Sequence, residues 1–199
     1  MNLNRVSRGR PKMFDEKEVL IVAMNYFWEH GYDNTSLDNL LKAMGITKSS
    51  FYSTFKSKEE IFSRCLKLYR EQNYDYLKSL KENIGPKNSM LMLANMLVKE
   101  LEETGNVKGC LIINSGKECY NKYKDLSTQI KIEFNFMQKL FTEFVKEAKD
   151  IGEIKNQKKA EIIAGRYTNS LNGLMVTIQA GADKELINYI LDDLKEILE

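Results

Sequence analysis

Between residues 47 and 56 the chain reads TKSSFYSTFK, a stretch dense in hydroxyl side chains, with a lysine near each end and no carboxylate. Such residues do not supply a nucleophile and its base. They suit non-covalent recognition, because short hydroxyl groups approach phosphates and base edges closely and lysines attract both. Lys48 sits where it can reach a base edge or a phosphate, and Tyr52 can donate its hydroxyl to a phosphate. The surrounding window 39–58 adds Lys42 and Lys58, again without an acid, and the segment before Asp15 carries Arg5, Arg8, Arg10 and Lys12. The formal net charge is only +2, so these acid-free windows matter more than the total.

Catalytic and metal chemistries find little support. His30 is the only histidine, placed to decorate the end of a helix, and there is no G-x-S-x-G elbow. Cys65, Cys110 and Cys119 are odd in number and show no C-x-x-C spacing, which argues against a disulfide framework and a zinc site. The run from Gly109 to Lys117 superficially resembles a phosphate loop. However, six residues rather than four separate Gly109 from Gly116, and Glu118 stands where Ser or Thr should bind magnesium. The expectation is therefore a protein that is not an enzyme and uses neither a metal nor a cofactor. Cys110 leaves two readings open: a thiol activated by a helix N-terminus, sensing electrophiles or oxidants with Cys119 or Cys65 as its resolving partner, or a small buried hydrophobe.

The elements that position these residues read as helices throughout. Among 199 residues proline occurs only at Pro11 and Pro86, and glycine is sparse, which favours an all-α fold. No apolar run approaches the roughly 18 to 20 residues that span a bilayer. The basic N-terminus is not followed by a hydrophobic stretch, so a cytoplasmic protein is expected. Asp15 and Glu18 form a capping box for a first helix that stops at Gly31. Thr35 or Ser36 caps a short second helix with Leu37, Leu40, Leu41 and Met44 on its apolar face, ended by Gly45. Thr47 caps a third, in which Phe51 and Phe55 lie four residues apart and point inward. Ser57 and Glu60 open a long helix running to about residue 83. Further helices are expected over 89–103, 110–119, from 126 to near 152, over 158–180, and after the cap at Asp183.

Three short helices with a glycine turn between the second and third are the sequence form of a helix-turn-helix. The run 26–62, YFWEHGYDNTSLDNLLKAMGITKSSFYSTFKSKEEIF, resembles the DNA-binding signature of the TetR family, and the match spans 14–62 without a gap. The resemblance implies phosphate contacts from Thr35 or Ser36, Thr47, Tyr52 and Lys56. It implies base-edge contacts from Lys48, Ser49 and Ser50, with Phe51 and Phe55 in the core. Thr54 joins the DNA-facing set. Ser49 stands where glycine is frequent in the family and Thr54 where histidine is frequent, departures that bear on which operator is read. By the same similarity Arg8, Arg10 and Lys12 belong to an arm along the minor groove, the alternative being a simple solvated tail.

Beyond residue 62 the resemblance is looser: Gly109-Cys110-Leu111 with Asn114, and Leu171-Asn172-Gly173-Leu174 followed by Ala180-Gly181-Ala182-Asp183, are similar to segments of one broad branch. It implies a DNA-binding domain over 1–57 with its basic arm, and a helical ligand-binding and dimerisation domain over 58–199. The last two long helices would pair with those of a second subunit, and Gly165, Gly173 and Ala180 would allow close approach. The implied partners are double-stranded operator DNA, a second copy of the chain and a small-molecule inducer, with no membrane. Tyr69, Met96, Cys110, Phe134, Met137, Tyr167 and Met175 are the candidate ligand contacts, suited to an apolar or cationic-aromatic molecule, though each is equally a core residue type. Taken together, the expected function is a dimeric repressor released from a pseudopalindromic operator by its inducer. The alternative is a helical small-molecule-binding or scaffold protein without operator recognition.

Overall fold

The computed structural model describes residues 14–199, and among these residues all regular structure is α-helical. The helices are α1 Glu16–His30, α2 Leu37–Met44, α3 Lys48–Thr54, α4 Lys58–Ile84, α5 Pro86–Thr104, α6 Leu111–Cys119, α7 Lys124–Asp150, α8 Ala160–Gln179 and α9 Lys184–Ile197. The arm residues Arg8, Arg10 and Lys12 lie outside the described residues. None of the described helices is long and apolar enough to cross a membrane.

Capping decides most of the helix starts. The Asp15 carboxylate accepts the Lys17 and Glu18 amides at 2.7 and 3.2 Å, and Ser36 accepts the Asn39 amide at 3.1 Å. Thr47 accepts that of Ser50 at 3.2 Å, and Ser57 that of Glu60 at 3.0 Å. Gly45 turns left-handed at φ 65° between α2 and α3, a conformation that suits a residue without Cβ. The helix expected over 89–103 starts three residues earlier, at Pro86, because proline's fixed φ and missing N–H suit the first helical position.

Two apolar clusters form the interior. One joins the inward faces of α1 and α2 with Phe51 and Phe55, and continues into Ile61, Phe62 and Leu66 of α4, Leu111 and Ile112 of α6, and Leu126 and Ile130 of α7. The other joins α5, the second half of α7, α8 and α9 around Met90, Phe141, Phe144, Tyr167 and Leu194. The first cluster runs straight across the boundary expected between residues 57 and 58. The start of α4 and the buried face of α6, through Leu111, Ile112 and Cys119, join the same cluster as the N-terminal helices. At 27 residues α4 is about 40 Å long and reaches both clusters, with Phe62 in one and Leu77 in the other.

Phe51 and Phe55 are fully buried, as their four-residue spacing predicts, and their tilted rings lie 5.6 Å apart. Phe51 anchors the short α3 to the core, so Phe51→Ala is expected to lower the unfolding free energy by about 3–5 kcal/mol. Urea denaturation followed by circular dichroism checks this, and a loss under about 1 kcal/mol would show that α3 is held by other means.

Candidate functional site

The outward face of α3 is a hydroxyl surface with two well-exposed long side chains, Lys48 and Tyr52. Thr47, Ser49, Ser53 and Lys56 are also exposed, and Ser50 is half-buried. The Thr47 hydroxyl lies 3.2 Å from that of Ser49 and donates to that of Ser50 at 3.0 Å, so the cap also aligns its neighbours. Ser53, which the sequence reading did not single out, stands on the same surface and donates to the Ser50 carbonyl at 2.8 Å.

The structure corrects the expected surface at Thr35 and Thr54 and turns one lysine of the acid-free window inward. Thr35 is completely buried and its hydroxyl donates to the Gly31 carbonyl at 2.6 Å, so of the Thr35–Ser36 pair only Ser36 caps α2 and faces solvent. The Thr54 hydroxyl is enclosed among neighbours rather than presented outward. Lys58 points inward: its ammonium donates to the carbonyls of Tyr32 and Thr35, each at 2.8 Å, and sits 4.2 Å from the centre of the Tyr32 ring. The lysines left to project from the acid-free window are Lys42, Lys48 and Lys56.

A second arrangement ties this unit to α6. The Glu118 carboxylate accepts the backbone amides of Tyr32 and Asp33 at 2.8 and 2.6 Å. Asp33 in turn accepts from Lys122 at 2.6 Å and from the Tyr123 hydroxyl at 2.7 Å, and these donors hold its carboxyl below the usual carboxylate range. Trp28 of α1 donates its indole N–H to the Gly109 carbonyl at 3.1 Å. Neither Trp28 nor Glu118 was identified as functional from sequence, since each partner lies more than 80 residues away.

Behind these contacts lies a cavity of about 660 Å³ between α1, α4, α5, α6, α7 and α8. That volume falls within the usual range for small-molecule pockets, about 300–1,000 Å³. Six of the seven candidate ligand residues line it: Tyr69, Met96, Cys110, Phe134, Met137 and Met175. The seventh, Tyr167, does not. It is fully buried against Phe141 and donates its hydroxyl to the Met90 carbonyl at 2.6 Å, while its neighbour Thr168 faces the cavity. The wall also includes Trp28, Asn73 and Asn172, and Lys99, Glu100 and Glu103 are its charged members.

Cys110 occupies the N-cap of α6 and lines this cavity, yet its thiol is shifted away from ionisation rather than toward it. Burial pushes it up, and the amides of Ile113 and Ile112 with the Tyr69 hydroxyl, which pull the other way, do not offset that. Burial also raises the fully buried Cys65 and pushes Cys119 up to about 11. Among the described residues no group of three or more His, Cys, Asp or Glu side chains could hold a metal ion.

Residues 19–65 match the family described as bacterial regulatory proteins, tetR family. The chain is 30% identical over 162 residues to an uncharacterized HTH-type transcriptional regulator, YezE, of Bacillus subtilis, covering 81% of this chain and 84% of that protein. It is 26% identical over 192 residues to the HTH-type transcriptional repressor ComR of Escherichia coli, covering 92% and 89%. Its fold superposes with a TM-score of 0.77 and 25% identity on a cysteine mutant of the TetR-family regulator CifR, complexed with 26-bp double-strand operator DNA, covering 95% and 98%.

The three thiols should be un-ionised at pH 8, where a reactive sensor thiol would already be thiolate. A coloured disulfide reagent is therefore expected to react with the native protein roughly tenfold more slowly than with free cysteine, and with all three thiols on unfolding. One thiol reacting in the native protein as fast as free cysteine would overturn this.

Proposed function

This chain belongs to the TetR family of bacterial regulatory proteins, and we propose that within it the protein is a repressor that holds a pseudopalindromic operator as a homodimer and releases it when a small molecule binds. It is a DNA-binding regulator of transcription, not an enzyme. The observation that carries the finer reading is the shared wall between the α3-bearing unit and the cavity: Trp28 belongs to α1 yet lines the cavity, and α6, which forms another wall, grips the α1–α2 loop through Glu118. An occupant that shifts α1 or α6 must therefore move the elements on which α3 is seated. A ligand acts through such a link only by favouring one conformation, and a few kcal/mol of preference suffices for effective release.

The exposed hydroxyls of Thr47 and Ser49 and the half-buried one of Ser50, with Lys48, support base-edge and phosphate contacts in a major groove, with Ser36, Tyr52 and Lys56 at the phosphates. Arg8, Arg10 and Lys12 would add phosphate or minor-groove contacts. Pairing of two copies through α8 and α9 is supported by the apolar groups these helices leave exposed, Ile162, Val176, Leu186 and Tyr189, and by open space where a Cβ at Gly173 would stand. The predominantly apolar cavity, whose polar lining comprises Asn73, Asn172 and Thr168, the hydroxyls of Tyr69 and Tyr76 and the charged Lys99, Glu100 and Glu103, favours an inducer with a largely apolar body. Such a protein would work in the cytoplasm, where its DNA is.

Footprinting of the DNA upstream of the protein's own gene is expected to show two symmetric half-sites, their centres about 34–36 Å or a multiple apart. Lys48→Ala should weaken binding to that site by about 1–3 kcal/mol, and Lys56→Ala should reduce the salt slope by about one. An asymmetric footprint, or unchanged affinity in both variants, would overturn the operator reading. For the inducer, compounds that release the DNA in an anisotropy assay are expected to quench or shift the emission of Trp28, the only tryptophan. Release with that emission untouched would remove the cavity from the mechanism.

A further inference from the structure

A second concavity, of about 690 Å³, opens between α6, the turn after it and the first half of α7. It shares Ile112, Ile113 and Phe134 with the first cavity but differs in chemistry. Its floor is apolar, with Ile130 and Gly116 beside those three residues, and its charged lining consists of Lys122, Lys124 and Lys131 without any acid. The first cavity, by contrast, mixes Lys99 with Glu100 and Glu103, a lining that does not favour an anion.

The three lysines are not equivalent. Lys122 is occupied by Asp33 at 2.6 Å. Lys124 and Lys131 are exposed and make no ion pair among the described residues. With Thr128 they follow one another at spacings of four and three along α7, which puts two cations and a hydroxyl on one stripe of the helix beside the groove. An apolar floor bordered by unpaired cations is complementary to a molecule with an apolar body and an anionic end.

We propose that this groove is a second binding site, for a small organic acid, with its apolar body on Ile113, Ile130 and Phe134 and its carboxylate met by Lys124 and Lys131. The site does not depend on the operator reading. It is distinct from the first cavity in ligand charge, since the same apolar body without the carboxylate loses the attraction of the rim. Gly116 offers a second handle on it: an added Cβ would meet only Ile130 Cγ2, at 3.7 Å, an ordinary contact, so a side chain can start from this part of the lining without displacing its neighbours.

The test is calorimetric titration of the full-length protein at low salt with decanoate and, separately, with decan-1-ol, both below aggregation. Decanoate is expected to bind at least about tenfold more tightly than the alcohol and to leave Trp28 emission unchanged, since Trp28 lines only the first cavity. The double variant Lys124→Gln, Lys131→Gln should weaken decanoate about tenfold, and Gly116→Leu should abolish its binding. Both variants should keep the wild-type circular dichroism spectrum. The proposal is overturned by no decanoate binding, by alcohol binding as tight as the acid, by unchanged affinity in the lysine variant, or by saturable quenching of Trp28, which would place the acid in the first cavity.

Discussion

The loop joining α1 to α2 exposes backbone groups that neither helix can satisfy, and the unit that carries α3 depends on how they are met. The amides of Tyr32 and Asp33 are taken by Glu118, and the carbonyls of Tyr32 and Thr35 by Lys58. The Tyr32 amide and the Thr35 carbonyl lie in a partly buried corner, where an unpaired group costs on the order of 1–3 kcal/mol. Here two oppositely charged side chains from helices elsewhere in the chain satisfy them with charge-assisted bonds. The loop between α1 and α2, beside which α3 is seated, is therefore held in part by residues outside the three short helices themselves. A helix-turn-helix of this kind is completed by α4 and α6.

Much of the scaffold was legible because its signals are local. Asp15, Ser36, Thr47, Ser57 and Asp183 cap helices where a short polar side chain precedes an apolar period, and the four-residue spacing of Phe51 and Phe55 names the inward face of α3. Failures came where the deciding partner is remote or where adjacent residues compete. Thr35 and Ser36 are equally good caps by type, and only the approach of the Gly31 carbonyl turns Thr35 inward. Lys58 looks like one more phosphate-seeking charge until the Tyr32 ring and two carbonyls claim it. Glu118 stood out in sequence only as a misfit in a phosphate loop, yet its amides lie more than 80 residues away. On α8 the step from Tyr167 to Thr168 is about 100° around the helix, enough to exchange core for cavity.

Cys110 shows two effects competing within one residue. Its position at the start of α6 is the one the sequence implies, and the amides there do favour a thiolate. Burial among Tyr69 and the apolar wall works against charge and prevails. At this position the balance favours the neutral thiol, which contributes shape and polarisability to the cavity wall.

The partition between the two concavities rests on Ile112, Ile113 and Phe134, each of which faces both. Evolution can tune the far walls separately, through Met175 on one side or Lys131 on the other. A change at Phe134 alters both volumes at once, so the shapes of the two spaces are coupled through this ring. Under the proposed two-site reading, a change of ligand would have to begin at the outer walls, or repack the partition and both spaces in a single step.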